Sequence, residues 1–304
     1  MKILLDNVNF ESTSGPNGFG KKLCEELSKN NTVYPSIQEL INIEEKPDVQ
    51  LSFIQANYKI APIVQRLDGI YFNSEQDFNS LNFPIQSTYQ VASSVIFQSE
   101  FNKTLTEKFF GTKENSFVIR NGTNLELISK VEPIKNDVID SFEKVWSCAS
   151  SWRPHKRLKD NIAYFLEHGS SNDCLIVAGE NPDEIIPDPR IFYAGHLDWL
   201  SMVSLMKKSD YFVHLAWLDH CPNVVVDARA SGCHIVCSSA GGTVEIAGKN
   251  STIIQEDDWD FSPVKLYSPP VMDFSKKIKN DFESEIKIEE TARSYIEVLE
   301  GVLS

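Results

Sequence analysis

The chain has 304 residues, which at about 150 residues per domain suggests two domains. With 41% hydrophobic and 24% charged residues, 14 glycines and 14 prolines, its composition excludes collagen-like, low-complexity and disordered classes. A formal charge of −14, with both halves acidic, repels phosphate backbones and anionic headgroups, so nucleic acid is not expected as a partner and membrane contact is at most peripheral.

The first residues, Met1-Lys2-Ile3-Leu4-Leu5-Asp6, carry too few apolar side chains for a signal-peptide core. No later stretch approaches the ~18 apolar residues of a membrane span, so a cytoplasmic protein is expected. Six cysteines without a C-x-x-C pair are expected to be small core residues, with no disulfides.

Short apolar runs alternate with amphipathic stretches, the pattern of parallel sheets wrapped by helices in an α/β fold. In the first half the pattern predicts strands at 2–6, 49–54, 62–66, 94–98 and 117–120, and helices at 19–29 and 101–110. A glycine-rich turn at 15–20 separates the first strand from the first helix, and the domain closes near Asn121-Gly122-Thr123-Asn124. Residues 129–143 are polar and weakly periodic and read as an interdomain connection. Strands then follow at 145–149, 175–178, 191–193, 211–215 and 234–237, with helices at 158–167, 200–207 and 223–231. Two Rossmann-like domains facing each other across a cleft are expected, at 1–135 and 136–304, with the last helix free to pack back on the first.

Three stretches could carry chemistry. In Gly15-Pro16-Asn17-Gly18-Phe19-Gly20, glycines let backbone approach a ligand and a helix start offers N–H groups to phosphate. The alternative is an ordinary turn, and the absence of G-x-G-x-x-G argues against a nicotinamide cofactor. Ser150-Ser151-Trp152-Arg153-Pro154-His155-Lys156-Arg157 gathers cations after the second domain's first strand, suited to a diphosphate or simply solvated. In Trp217 through Gly232, Pro222 and Asn223 mark a helix start, with the N–H groups of Asn223, Val224 and Val225 expected to be free for an anion. Asp219 and Asp227 can accept hydroxyl hydrogen bonds, so the whole suits a sugar nucleotide; the plainer alternative is a loop residue and a helix-surface carboxylate. His220, Cys221, Cys233, His234 and Cys237 lack zinc-ligand spacing, so no metal is expected. There is no G-x-S-x-G, P-loop or H-E-x-x-H motif.

In this order the three stretches resemble the retaining glycosyltransferases of family four, over nearly the whole chain. Asn17-Gly18-Phe19-Gly20-Lys21 looks like that family's Gly-Gly-x-x-[Arg/Lys] loop, and Val118-Ile119-Arg120-Asn121-Gly122-Thr123-Asn124 like its Val-Ile-x-Asn-Gly-Val-Asp segment. The stretch from Phe192-Tyr193-Ala194-Gly195 through Ser209-Asp210-Tyr211 to Asp219, Asp227 and Gly232 is similar to the family's most specific region, closed by Gly241-Gly242-Thr243-Val244-Glu245-Ile246. The resemblance implies the GT-B fold and transfer of a hexose from a UDP- or GDP-sugar to a hydroxyl of a glycan, lipid-linked sugar or small molecule, with retention and no required cofactor or metal, in carbohydrate biosynthesis. It puts Asp219 on donor sugar hydroxyls, Asp227 on the ribose, Lys156 on the diphosphate, and Gly18, Asn17, Gly195, Pro222, Asn223 and Val224 around the donor. Asp68 and Arg66 follow a first-domain strand, where the family often places a group near the transferring sugar; Asp68 is a catalytic candidate and Arg66 a weaker acceptor-side one.

The chain departs from the family pattern at three points. Both motif acids are Asp rather than Glu, one methylene shorter. Ser151 stands where the family arginine usually lies, leaving Arg153 as its substitute. The first domain is also short. The rival expectations are a non-catalytic sugar-nucleotide or glycan-binding module, and a GT-B nucleotide-sugar epimerase or hydrolase.

Overall fold

The computed structural model describes residues 1–12, 14–182 and 184–303, with side chains except at 42 and 43. The chain divides into two compact units: Met1–Asn124 with Phe261–Val264 and Glu285–Ser304, and Leu125–Asp260 with Lys265–Ser284. Each is a sheet flanked by helices.

The first unit runs β1 (Lys2–Asp6), α1 (Gly15–Leu27), β2 (Thr32–Tyr34), α2 (Ile37–Ile43), β3 (Val49–Phe53), β4 (Ile63–Leu67), α3 (Phe78–Val91), β5 (Ser94–Phe97), α4 (Glu100–Phe110) and β6 (Ser116–Val118). Its six strands are parallel, in the order β2-β1-β3-β4-β5-β6. β3 and β4 are buried along their whole length although they carry Gln50, Ser52, Gln65 and Arg66, because each of these polar side chains finds a hydrogen-bond partner inside.

The second unit runs α5 (Leu125–Lys130), β7 (Lys144–Ala149), α6 (Leu158–His168), β8 (Asp173–Ala178), β9 (Ile191–Gly195), α7 (Trp199–Lys208), β10 (Tyr211–His214), α8 (Asn223–Ala230), β11 (His234–Ser238), β12 (Thr252–Ile254) and β13 (Lys277–Lys279). The strand order is β13-β12-β11-β10-β7-β8-β9, parallel except for β12 with β13. The last helix, α9 (Ile288–Gly301), returns to the first unit. There Ile288, Ala292, Tyr295 and Leu299 share one core with Phe19, Leu23 and Leu27 of α1, each large apolar side chain contributing about 1.5–3 kcal/mol by leaving water.

Three expectations need correction. The first unit's opening segment ends at Asn124, not 135, and residues 129–143 are not a free connection. Lys207 donates to the carbonyls of Ile128 and Ser129, Ser204 Oγ to that of Glu132, and Lys208 pairs with Asp140, so α7 satisfies this polar stretch. The first helix begins at Gly15 rather than Phe19. Extended Ser14 followed by a proline in the first turn is a helix start, since proline's fixed φ suits that turn and its missing N–H costs nothing there.

Candidate functional site

In the second sheet the strand order reverses between β7 and β10, which lie side by side. Ligands of open α/β sheets bind where the carboxyl-terminal loops of two such strands diverge. The loop after β7 forms a 3₁₀ turn at Pro154–Lys156 and passes through a left-handed Arg157 (φ 54°); the loop after β10 passes through a left-handed Leu218 (φ 57°). Lys156 and Asp219, 63 residues apart, meet here with Nζ 2.5 Å from Oδ2. His214, the last residue of β10, reaches the same oxygen with Nε2 at 2.9 Å, and the backbone N–H of His220 donates to Oδ1 at 3.0 Å. Gly241 (φ 116°) closes over the loop: a Cβ there would sit 2.5 Å from the Asp219 carbonyl oxygen, so the position admits only glycine.

Burial pushes the Asp219 carboxyl up, but the Lys156 charge and the contact with His214 outweigh it and hold the group well below the usual carboxylate range. The surrounding imidazoles are neutral. Burial takes His155 down to about 3, with Lys156 adding to the effect, and takes His220 down to about 4 against the attraction of Asp219. His155 stacks on Tyr267, and its buried Nδ1 has no hydrogen-bond partner among the described residues. Since Asp219 Oδ2 can only accept, the neutral His214 carries its proton on Nε2.

The other sequence candidates divide. Arg153 is exposed at the turn before Lys156. Arg157, grouped with these cations by sequence, instead points inward: its fork grips both Glu256 oxygens at 2.8 and 2.7 Å and donates to the Pro270 carbonyl at 2.9 Å. Pro222 caps α8 and Asn223 and Val224 open it, but the N–H of Val225 is not free, because it donates to the Pro222 carbonyl. Asp227 is buried on α8 and accepts from Trp199 Nε1 at 2.9 Å, a partner the sequence did not suggest. Gly195 ends β9 in a left-handed conformation with open space where a Cβ would stand, and its carbonyl accepts from the Gly179 N–H.

In the first sheet the order reverses at β1 and β3. The loops leaving them contain left-handed Asn7 (φ 63°) and Ile54 (φ 67°), the latter an uncommon conformation for a β-branched residue. A hollow of about 410 Å3 opens there, lined by Asn7, Asn9, Asn17, Asn57, Tyr58 and neighbouring side chains. Asn17 accepts from the Asn9 N–H at 2.8 Å, while buried Asp6 is saturated by Gln50, Ser52 and Asn57. Asn7, Asn9 and Asn57 were not singled out by sequence, because residues some 50 positions apart meet only through the strand order. Gly18 is helical and its N–H donates to the Ser14 carbonyl at 2.8 Å, so that N–H is not available to a phosphate; the open space beside its Cα remains.

Arg66 is not an acceptor-side contact, because it is fully buried. Its guanidinium pairs with Asp68, meets Tyr295, Gln98 and Asn121 at 3.1, 3.3 and 2.9 Å, and lies over the rings of Phe19 and Phe53. It positions Asp68. Burial raises the Asp68 carboxyl, against the pull of Arg66.

Among the described residues no group of three His, Cys, Asp or Glu side chains could hold a metal ion. Cys233 donates to the Met206 carbonyl and His234 meets Thr252, while burial raises the Cys233 and Cys237 thiols to about 12, leaving them neutral. No helix among the described residues is long and apolar enough to cross a membrane.

Residues 147–262, which contain both Lys156 and Asp219, match the family model of glycosyl transferases group 1. HepE of Anabaena, solved in complex with UDP and glucose, superposes with a TM-score of 0.68 at 15% identity, over 99% of this chain and 100% of that one. The fold is GT-B. A glycosyltransferase of Rickettsia africae matches at 0.63 with 15% identity over 100% of this chain and 98% of its own. Sucrose-phosphate synthase of Thermosynechococcus elongatus matches at 0.65 with 11% identity, over 100% and 96%. No curated protein sequence matches the chain.

Proposed function

We propose that the protein is a retaining glycosyltransferase of family four, which moves a hexose from a nucleoside diphosphate sugar to an acceptor hydroxyl without a required metal. The observation that carries this is the Lys156–Asp219 pair at the reversal point of the second sheet, inside the segment matched by the group 1 family. HepE, solved with UDP-glucose and with UDP, is a GT-B neighbour whose ligands are of the proposed donor class.

Negative charge builds on the leaving diphosphate as the glycosidic bond breaks. Lys156, assisted by exposed Arg153 and by the start of α8 at Asn223 and Val224, stabilises that charge electrostatically. Asp219 faces the donor sugar hydroxyls and Asp227 the ribose, with Gly195 and Pro222 leaving room for the nucleotide. Attack comes from the face the diphosphate leaves, with a phosphate oxygen taking the acceptor proton, so no separate general base is needed. In this reading Asp68, paired with Arg66, acts near the transferring sugar, and Asn17 with Gly18 belongs to the donor-binding set.

The test is a thermal-shift screen with UDP-, GDP- and ADP-sugars, followed by transfer assays with glycan and small hydroxyl acceptors. A donor at ~100 times its dissociation constant adds about 2.7 kcal/mol of stability. Product of unchanged anomeric configuration that forms only when acceptor is present is expected. Turnover without acceptor would indicate an epimerase or hydrolase, and donor binding without turnover a binding module.

A further inference from the structure

We propose that His214 is a positioning residue of the donor site: its Nε2–H holds the short Asp219 side chain at the ends of β7 and β10, and its ring becomes that carboxylate's counter-charge when a donor diphosphate draws Lys156 away. This rests on the donor-site assignment above.

Asp219 is too well held to be a plain loop acid. Oδ2 receives both Lys156 at 2.5 Å and His214 at 2.9 Å, and its side chain is only 13% exposed. The same Lys156 is the proposed ligand of the diphosphate. One ammonium facing two anionic partners is shared or surrendered, and a nearly buried carboxylate deprived of its cation is costly. His214 is placed to replace it, with a side chain 5% exposed on the rigid end of a central strand.

The charged groups facing His214 are Asp219, from its own loop, and Lys156, from the turn after β7. The nearby His155 and His220 are neutral, β11 presents the neutral Cys237 opposite it in register, and the end of β7 is Ser147-Cys148-Ala149. In the free protein burial lowers the ring's pKa, and the Lys156 charge lowers it further, against the attraction of Asp219. Moving Lys156 onto a diphosphate removes the repulsion and leaves the attraction. The neutral ring, already donating from Nε2, then accepts a solvent proton on Nδ1 and becomes an imidazolium paired with the carboxylate. Donor binding takes up protons, so affinity rises as pH falls, by up to about tenfold per pH unit where a whole proton is taken.

The experiment is calorimetric titration of the full chain with UDP-glucose, GDP-mannose and ADP-glucose, whose diphosphates do not titrate near neutrality, in buffers of low and high ionisation heat. For the donor that binds, the wild type is expected to show buffer-dependent heat equal to net proton uptake and a pH-dependent affinity. His214→Asn is expected to bind with neither, and Lys156→Ala to bind more weakly without uptake, because its His214 lacks the repelling cation beforehand. Should His214→Asn not fold by circular dichroism, Lys156→Ala carries the test alone. Binding to wild type without proton uptake, or uptake that persists in either variant, overturns the inference while leaving the donor site standing. Failure of all three donors to bind folded wild-type protein overturns the donor-site assignment, and this inference with it.

Discussion

The two sheets each open a candidate binding point where the strand order reverses, and all four loops leaving those points contain a non-glycine residue in the left-handed region: Asn7 and Ile54 in the first unit, Arg157 and Leu218 in the second. Their chemistry differs. The first point is lined by amides and hydroxyls together with aliphatic side chains such as Val8, Ile37 and Ile54, and its one carboxylate among the lining residues, Asp6, is saturated internally. The second concentrates Lys156, Asp219 and three imidazoles. Similar backbone geometry thus presents a neutral surface in one unit and a charged one in the other, which shows that the scaffold supplies position while the loop side chains supply function.

The largest effect that could break this comparison lies beneath the two points, where each unit buries an arginine in a polar socket. Arg157→Ala leaves Glu256 facing a void, and Arg66→Ala leaves Asp68 without its cation. Each is expected to cost about 3–5 kcal/mol in a denaturant titration, with Arg157→Lys recovering part because it keeps charge and loses the fork. Losses under about 1 kcal/mol would mean the sockets do not support the loops.

Next in size is Lys156→Ala, which removes the cation proposed to meet the diphosphate. A loss of about 2.7–4 kcal/mol of transition-state stabilisation is expected, read as kcat/KM in a donor-transfer assay. Activity within twofold of the parent would make the second point no more than a structural ion pair.

A smaller effect concerns acid stability. The Asp219 pKa is depressed in the folded chain, so its stabilising contribution is present above the ordinary carboxylate value near ~3.9 and is lost as pH falls through the lower folded value. Asp219→Asn should therefore flatten the acid limb of stability below about pH 4 and reduce stability at neutral pH. A limb of unchanged slope would place the linkage on other carboxylates.

The smallest effect sharpens the first point. Gly18 lies within α1 with open space beside it, so Gly18→Ala should stabilise the chain by about 0.5–1 kcal/mol in thermal unfolding. If transfer activity falls nonetheless, a ligand must approach that backbone; if activity is kept, the glycine there is incidental.

Much of the framework was legible. The apolar runs of β1, β8, β10 and β11 stand out because parallel strands buried on both faces favour continuous hydrophobic sequence. Lys156 and Asp219 could be named as ligand groups from their places after strands, but not as partners of each other. α3 escaped notice because Pro84 interrupts its pattern, and Gly15-Pro16 read as a turn although it opens a helix. His214 was invisible for a different reason: in Tyr211-Phe212-Val213-His214-Leu215 a lone histidine looks like a core residue of a buried strand.

By itself, then, the sequence determined the alternation of strands and helices, the two-sheet class and the loops richest in chemistry, since hydrophobic periodicity and helix-start chemistry act over a few residues. Only the tertiary structure decided that β7 lies beside β10, that Arg66 and Arg157 turn inward, and that Lys156, His214 and Asp219 share one oxygen. Those outcomes depend on sheet order and on how a buried charge finds its counter-charge. Both are settled by contacts between residues tens to hundreds of positions apart, which no local pattern encodes.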